Sequence, residues 1–141
     1  FKNHFSLNTV VKNSNIFLYQ WNKATISNII QACDIAIIPL DTKNSFLFGK
    51  SMNKLIVFWR NNIPTLCSGV KSYHEISKEV DLDICCDTTN DWVNKISNLA
   101  TNEKYYNQHK NIISKYINDN YSEKSFINQW DNLIRSVLNE Q

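Results

Sequence analysis

Glycine and proline are scarce in this chain, two of each among 141 residues, which excludes collagen-like and linker-rich architectures. No low-complexity block interrupts it, and with 43% hydrophobic residues the composition is too apolar for a disordered chain. Charge of one sign is lacking as well. Fifteen Lys and Arg stand against 13 Asp and Glu, a net charge of +2, without the lopsided basic content of a nucleic-acid-binding domain. No apolar run approaches the roughly 20 residues that span a bilayer, and no charged segment followed by an apolar core marks a secretory signal. The four cysteines, Cys33, Cys67, Cys85 and Cys86, form no Cys-x-x-Cys pair and no His-spaced zinc pattern. They read as reduced thiols of a cytoplasmic protein. The chain opens on Phe1 rather than Met, and we read it as one domain, residues 1–141, of a longer protein.

What is present is an alternation of short apolar runs with amphipathic stretches. Ile16 to Tyr19 is a strand candidate, and Thr25 then begins a helical pattern carried by Ile26, Ile29, Ile30 and Cys33. Asp34 to Leu40 is rich in β-branched residues and apolar on both faces, as a parallel strand covered on each side would be. A polar and aromatic loop, Asp41 to Gly49, leads to a helix over Ser51 to Arg60. Thr65 to Ser68 and Ile84 to Cys86 are further strands, with a short helix around Tyr73 to Glu79 between them. At Asn61-Asn62-Ile63-Pro64 a helix ends, an Asn takes the left-handed conformation, and Pro64 opens the next strand. From residue 88 the pattern is helical only. Thr88 and Asp91 form a capping box, and three stripes follow, through Trp92, Ile96 and Leu99, through Ile112, Ile113, Tyr116 and Ile117, and through Phe126, Trp130, Leu133, Ile134, Val137 and Leu138. The fold class is therefore α/β, a parallel sheet with flanking helices and an all-helical C-terminal part over residues 88–141.

Open parallel sheets bind ligands beyond the carboxyl ends of their strands. Three loops qualify, Gln20 to Ala24, Asp41 to Lys50 and Gly69 to Tyr73. The second ends Phe48-Gly49-Lys50-Ser51-Met52-Asn53-Lys54. Gly49 lets the backbone approach a ligand, and the free N–H groups of the helix start, with the positive dipole end, form an anion seat. Lys50 and Lys54 are four apart and share one face. Two cations at a helix N-terminus repel unless an anion lies between them, which points to a phosphate. The string is neither a Walker loop nor a dinucleotide fingerprint, so solvated lysines with Ser51 or Asn53 as a plain helix cap remain the alternative.

The ordered series IFLYQW, TISNIIQACDIAIIPLD, FGKSMNKLIVFWRNNIPTLCSGVKSYHEI and DWVNKISNL resembles the C-terminal, nucleotide-sugar-binding half of GT-B glycosyltransferases, in the group that builds bacterial surface polysaccharides. The likeness spans residues 16 to 138. It implies one half of a Rossmann-like pair of domains, closed by C-terminal helices of which the last often returns toward the N-terminal half. It further implies hexosyltransferase-like transfer from a nucleoside-diphosphate sugar to a glycan or lipid-linked acceptor. By resemblance, Gly49, Lys50, Ser51, Asn53 and Lys54 lie at the donor phosphates, Lys50 and Lys54 stabilise the leaving diphosphate, Gln20 and Trp21 border the base, and Tyr73 and Glu75 lie near the donor pocket. The donor is the ligand, and no metal or other cofactor is expected, in keeping with the lack of a paired-carboxylate motif. The partner is an N-terminal acceptor-binding domain of the same protein, so the isolated domain would turn nothing over. The protein would be cytoplasmic, with peripheral membrane association in the full-length form and no nucleic-acid partner.

The chain also departs from the family. Many retaining members carry two glutamates across this helix, and the corresponding places here hold Gly49 and Val57, while Asn62 replaces a glycine. The glutamate for the ribose hydroxyls is thus missing, and Asn53 is the candidate substitute. A non-catalytic α/β module, a degenerate glycosyltransferase half used as a scaffold, is the competing class. Of the remaining residues, His4, His74 and His109 read as surface or partly buried structural groups, with a pocket role the alternative for His74. Trp59, Trp92 and Trp130 read as core. Trp21 is either a packing anchor or a stacking platform.

Overall fold

The structure, a computed structural model, describes residues 15–17, 19–43 and 51–139. Its elements run α1 (Ile26–Gln31), β1 (Ala36–Ile38), α2 (Asn53–Arg60), β2 (Thr65–Ser68), α3 (Lys71–Glu79), β3 (Cys85–Cys86), α4 (Thr89–Thr101), α5 (Glu103–Tyr121) and α6 (Glu123–Asn139). The strands form a parallel sheet in the order β1-β2-β3, with Ala36 opposite Thr65, Ile38 opposite Cys67, and Cys67 opposite Cys85. This is an α/β arrangement with helices on the sheet and a helical C-terminal part, consistent with a Rossmann-like half-domain.

The period of two along β2 divides the core between two faces. Cys67 points with Ile38 and Cys85 into a layer built from Leu55, Ile56 and Trp59 of α2, Tyr73 and Ile76 of α3, and Ile113 of α5. Leu66 points the other way with Cys86, against Leu99, Trp92 and Ile96 of α4. The long α5 reaches round to α2, where Trp59 and Tyr116 meet edge to face at 5.6 Å and Arg60 Nη2 donates to the Tyr121 carbonyl at 3.2 Å. Hydrogen bonding to Cys85, with burial, pushes the Cys67 thiol up, and burial pushes Cys86 up to about 11. These are protonated packing groups rather than nucleophiles.

Two helices end in the same motif. After α2, Asn62 has φ 56°, its N–H donates to the Trp59 carbonyl, and the Ile63 N–H donates to the Phe58 carbonyl. After α3, Asp81 has φ 52°, and the Leu82 N–H reaches the Ser77 carbonyl. Both are Schellman turns. The first was expected. The second had no glycine or asparagine to announce it.

Four expectations need correction. Ile16, Phe17 and Tyr19 form no strand and lie exposed in irregular chain, because an apolar run becomes a strand only where a neighbour takes up its backbone groups. β1 is covered on one face only. Ile37 is 51% exposed while its register partner Leu66 is fully buried, since α4 lies over β2 and β3 and does not extend across β1. Trp130 is not core. It lies on α6 among Phe126, Ile127, Leu133, Ile134, Val137 and Leu138, all between 52% and 65% exposed. His109, by contrast, is fully buried with neither ring nitrogen hydrogen-bonded among the described residues, with the Tyr105 ring tilted 58° to it at 4.4 Å.

Burial lowers the His109 pKa to about 4. The unfolded chain therefore takes up a proton that the folded chain excludes. The stability due to the neutral ring is fully present above about pH 6.5 and is lost as pH falls toward 4, a change of roughly 3 kcal/mol. Urea melts across this range should show that slope, and His109→Leu should flatten it.

Candidate functional site

Because the strands run parallel, their carboxyl ends share one edge, and each following helix starts there. The edge is tied together by Ser68. Its hydroxyl accepts from the Leu40 N–H at 2.8 Å and donates to the Leu40 carbonyl at 3.2 Å, joining the ends of β1 and β2. Above this junction lies a cavity of about 200 Å³ lined by Leu40, Ser51, Asn53, Lys54 and Tyr73. That is room for one or two phosphate groups, less than the 300 Å³ or more of a whole small-molecule site. Burial pushes the Tyr73 phenol up, with the Cys67 thiol adding to it, so the phenol is a neutral hydrogen-bonding group.

The three helix starts on this edge differ. At α4 the Thr88 hydroxyl accepts from the Asp91 N–H, and the Asp91 carboxylate accepts from the N–H groups of Thr88 at 2.8 Å and Asp87 at 3.1 Å. The Thr88 backbone bond, first among these, holds the Asp91 carboxyl below its usual range. That start carries a reciprocal cap and an acidic side chain of its own. At α2 the capping position is Met52, whose side chain makes no capping bond, and the first turn holds no acidic residue. Ser51 lies just outside, so the helix begins two residues later than expected. Among the described residues, the N–H groups of Asn53, Lys54 and Leu55 have no partner, while Ile56 bonds back to Met52. At the α3 start the Val70 side chain makes no cap and the first turn holds no acid, but the N–H groups of Tyr73 and His74 bond to the Val70 carbonyl.

Of the residues chosen from the sequence, Ser51, Asn53, Lys54 and Tyr73 come together in this cavity. Gly49 and Lys50 lie outside the described residues, as does His4. Glu75 is turned away from the cavity, exposed and facing Lys71 at 3.9 Å. Gln20 and Trp21 lie in the irregular chain before α1, and Trp21, 73% exposed, anchors no core. Neither lines the cavity.

The edge also holds a pair that sequence reading missed. His74 Nε2 lies 3.5 Å from Asp87 Oδ1, with the two side chains 42% and 57% exposed. They close over Gly69, where an added Cβ would lie 1.7 Å from Asp87 Oδ1 and 2.5 Å from His74 Nε2. The signal was there to use, because one of only two glycines stands directly after a strand end. At the opposite, amino end of the sheet, an open groove of about 440 Å³ is lined by Asp34, Ile35, Leu99, Ala100, Thr101, Glu103 and Tyr106. Its two ionisable carboxylates suit no anion.

Among the described residues there is no group of three or more His, Cys, Asp and Glu side chains that could hold a metal ion, and no helix long and apolar enough to cross a membrane. Comparison of the chain with protein families, curated proteins and solved structures gives no match in any of the three.

Ser68→Ala removes both bonds to Leu40, leaving a part-buried N–H and carbonyl unpaired. We expect a loss of about 1–3 kcal/mol in a denaturant melt, with the secondary structure retained by circular dichroism.

Proposed function

We propose that the chain is the donor-binding domain of a glycosyltransferase, holding a nucleoside-diphosphate sugar by its phosphates at the start of α2. The observation that carries this reading is the contrast between helix starts on one sheet edge. The α4 start has a capping box, with Thr88 on the Asp91 N–H and the Asp91 carboxylate in its first turn. At the α2 start, among the described residues, the N–H groups of Asn53, Lys54 and Leu55 have no partner, and Lys54 stands beside them in a cavity that Ser51, Asn53 and Tyr73 complete. Positive charge in the first turn of a helix is unfavourable by itself and becomes favourable when an anion occupies the helix mouth.

In this reading the chemistry is electrostatic. As the bond between sugar and diphosphate breaks, negative charge grows on the leaving oxygens. The N–H groups of Asn53, Lys54 and Leu55, fixed by the helix, meet that charge without reorganisation, and the Lys54 ammonium adds its attraction. Asn53 and Ser51 offer neutral hydrogen bonds that fix the orientation of the diphosphate. The acceptor and the group that activates it belong to an N-terminal half of the same protein, so the domain alone binds donor without turning it over.

A second reading, a non-catalytic interaction module, draws on the uncovered apolar face of α6 and the bare Ile37 face of β1, since exposed patches of this kind mark contact surfaces.

Calorimetric titration with inorganic pyrophosphate, UDP, GDP and CDP tests the first reading. At least one nucleotide should bind in the micromolar to millimolar range, with pyrophosphate weaker. Lys54→Ala should weaken both by about tenfold, the worth of one charge-assisted contact. If none of the four binds at millimolar concentration, the donor site is absent and the interaction module stands.

A further inference from the structure

We propose that α6 is the dimerisation helix of this protein, its apolar face packing antiparallel against the same face of a second copy of the chain. The inference stands apart from the donor-site reading, since α6 supplies no residue to the cavity at the carboxyl edge.

The first ground is that no described residue covers this face. α6 is held at its beginning, where the Ser125 N–H donates to the Ser122 hydroxyl at 3.1 Å and Gln129 Nε2 donates to the Asn120 carbonyl at 3.4 Å. From Phe126 to Leu138 every residue is exposed. At exposures of 52% to 65%, the apolar side chains among them present roughly 700 Å² on one copy, close to the roughly 800 Å² that each partner gives to a stable interface. A monomer's largest apolar patch is ordinarily about 300–600 Å².

The second ground is that the face is complementary to itself. Counted outward from Asn132, its apolar positions match in pairs, Trp130 with Ile134, Ile127 with Val137, and Phe126 with Leu138. A two-fold axis at Asn132 that sets two copies antiparallel brings each member of a pair level with the other on the second copy. Every level then joins a larger side chain to a smaller one. Phe126 and Trp130 already meet edge to face at 6.1 Å. A hollow of about 240 Å³ among Gln129, Trp130 and Leu133 receives Ile134 of the second copy. A parallel pair would set Trp130 against Trp130 and Val137 against Val137, crowding one end of the contact and leaving the other loose.

The third ground is charge, which favours a copy of the chain over a lipid surface. The charged residues of α6 are Glu123, Lys124, Asp131 and Arg135, and they balance. Asp131 and Arg135 pair within the helix at 3.0 Å. A helix that lies on a membrane flanks its apolar face with Lys and Arg, and this one does not. Balanced flanks put no like-charge repulsion between two copies, and antiparallel packing sets the two helix dipoles head to tail.

The test measures the oligomeric state of the whole 141-residue chain by sedimentation and light scattering, from micromolar to submillimolar concentration. We expect a dimer at the upper end. Ile134→Glu and Val137→Glu should each raise its dissociation constant about a hundredfold, because a charge is buried without a partner. Asn132→Glu, on the opposite side of the same helix, should leave it within about twofold. All three positions are exposed, and circular dichroism confirms that each variant folds. Orientation is read by cross-linking in a Cys33→Ser background, where the other three cysteines are buried. Asp131→Cys, beside the axis, should join two copies through a short bismaleimide. Lys124→Cys, separated from its own copy by about 24 Å along the helices, should not. A chain that stays monomeric throughout overturns the inference, including the case in which the face takes an anionic vesicle or another domain instead. A dimer that both glutamate substitutions leave intact also overturns it, as does one that Lys124→Cys cross-links and Asp131→Cys does not.

Discussion

The burial of β2 between two helical layers is the constraint on which the rest depends. All four residues from Thr65 to Ser68 are buried, Leu66 faces α4, and Cys67 faces α2, α3 and α5. A strand enclosed on both faces must pair its backbone on both edges, and β1 and β3 do this in parallel register. Parallel pairing forces a helical crossover between successive strands, which brings the starts of α2, α3 and α4 to one edge. The Ser68 hydroxyl at the end of the same strand locks β1 to it. Gly69, one residue on, leaves space for the His74–Asp87 pair.

Position alone does not distinguish these helix starts, but their local chemistry does. Thr88 and Asp91 neutralise the α4 start from within. Met52 makes no side-chain cap, and among the described residues the first N–H groups of α2 have no partner, whereas at α3 the N–H groups of Tyr73 and His74 already bond to the Val70 carbonyl. The same three-strand edge therefore contains one start with a capping box, at α4, and one without it, at α2, that faces the cavity lined by Ser51, Asn53, Lys54 and Tyr73.

Much of this was legible in the residues. The capping box at Thr88 and the left-handed Asn62 are local rules, satisfied within a few residues, and both appear where expected. The strand Thr65 to Ser68, though not its enclosure, and the helices after residue 88 also follow from pattern, and strand polarity brings the loops before Asn53 and Tyr73 to one edge. The strand expected at Ile16 failed because apolar composition does not provide a pairing partner. Trp130 has the periodicity of a core residue, yet periodicity reports that a helix has an apolar face and not what covers it. His109 was misread in the opposite sense, since a histidine on a helix carries no local sign of burial. Asp87 was overlooked because its partner is thirteen positions away and meets it only when β2 and β3 lie side by side.

The residues by themselves therefore determined the order and type of most elements, the parallel α/β class, and the loops that reach the carboxyl edge. These depend on interactions between near neighbours and on the polarity of the chain. Tertiary structure alone decided which apolar faces are covered, which histidine loses its solvent, and which carboxylate stands opposite which imidazole. Those outcomes depend on distances between segments far apart in the chain, and such distances exist only after β2 has been enclosed.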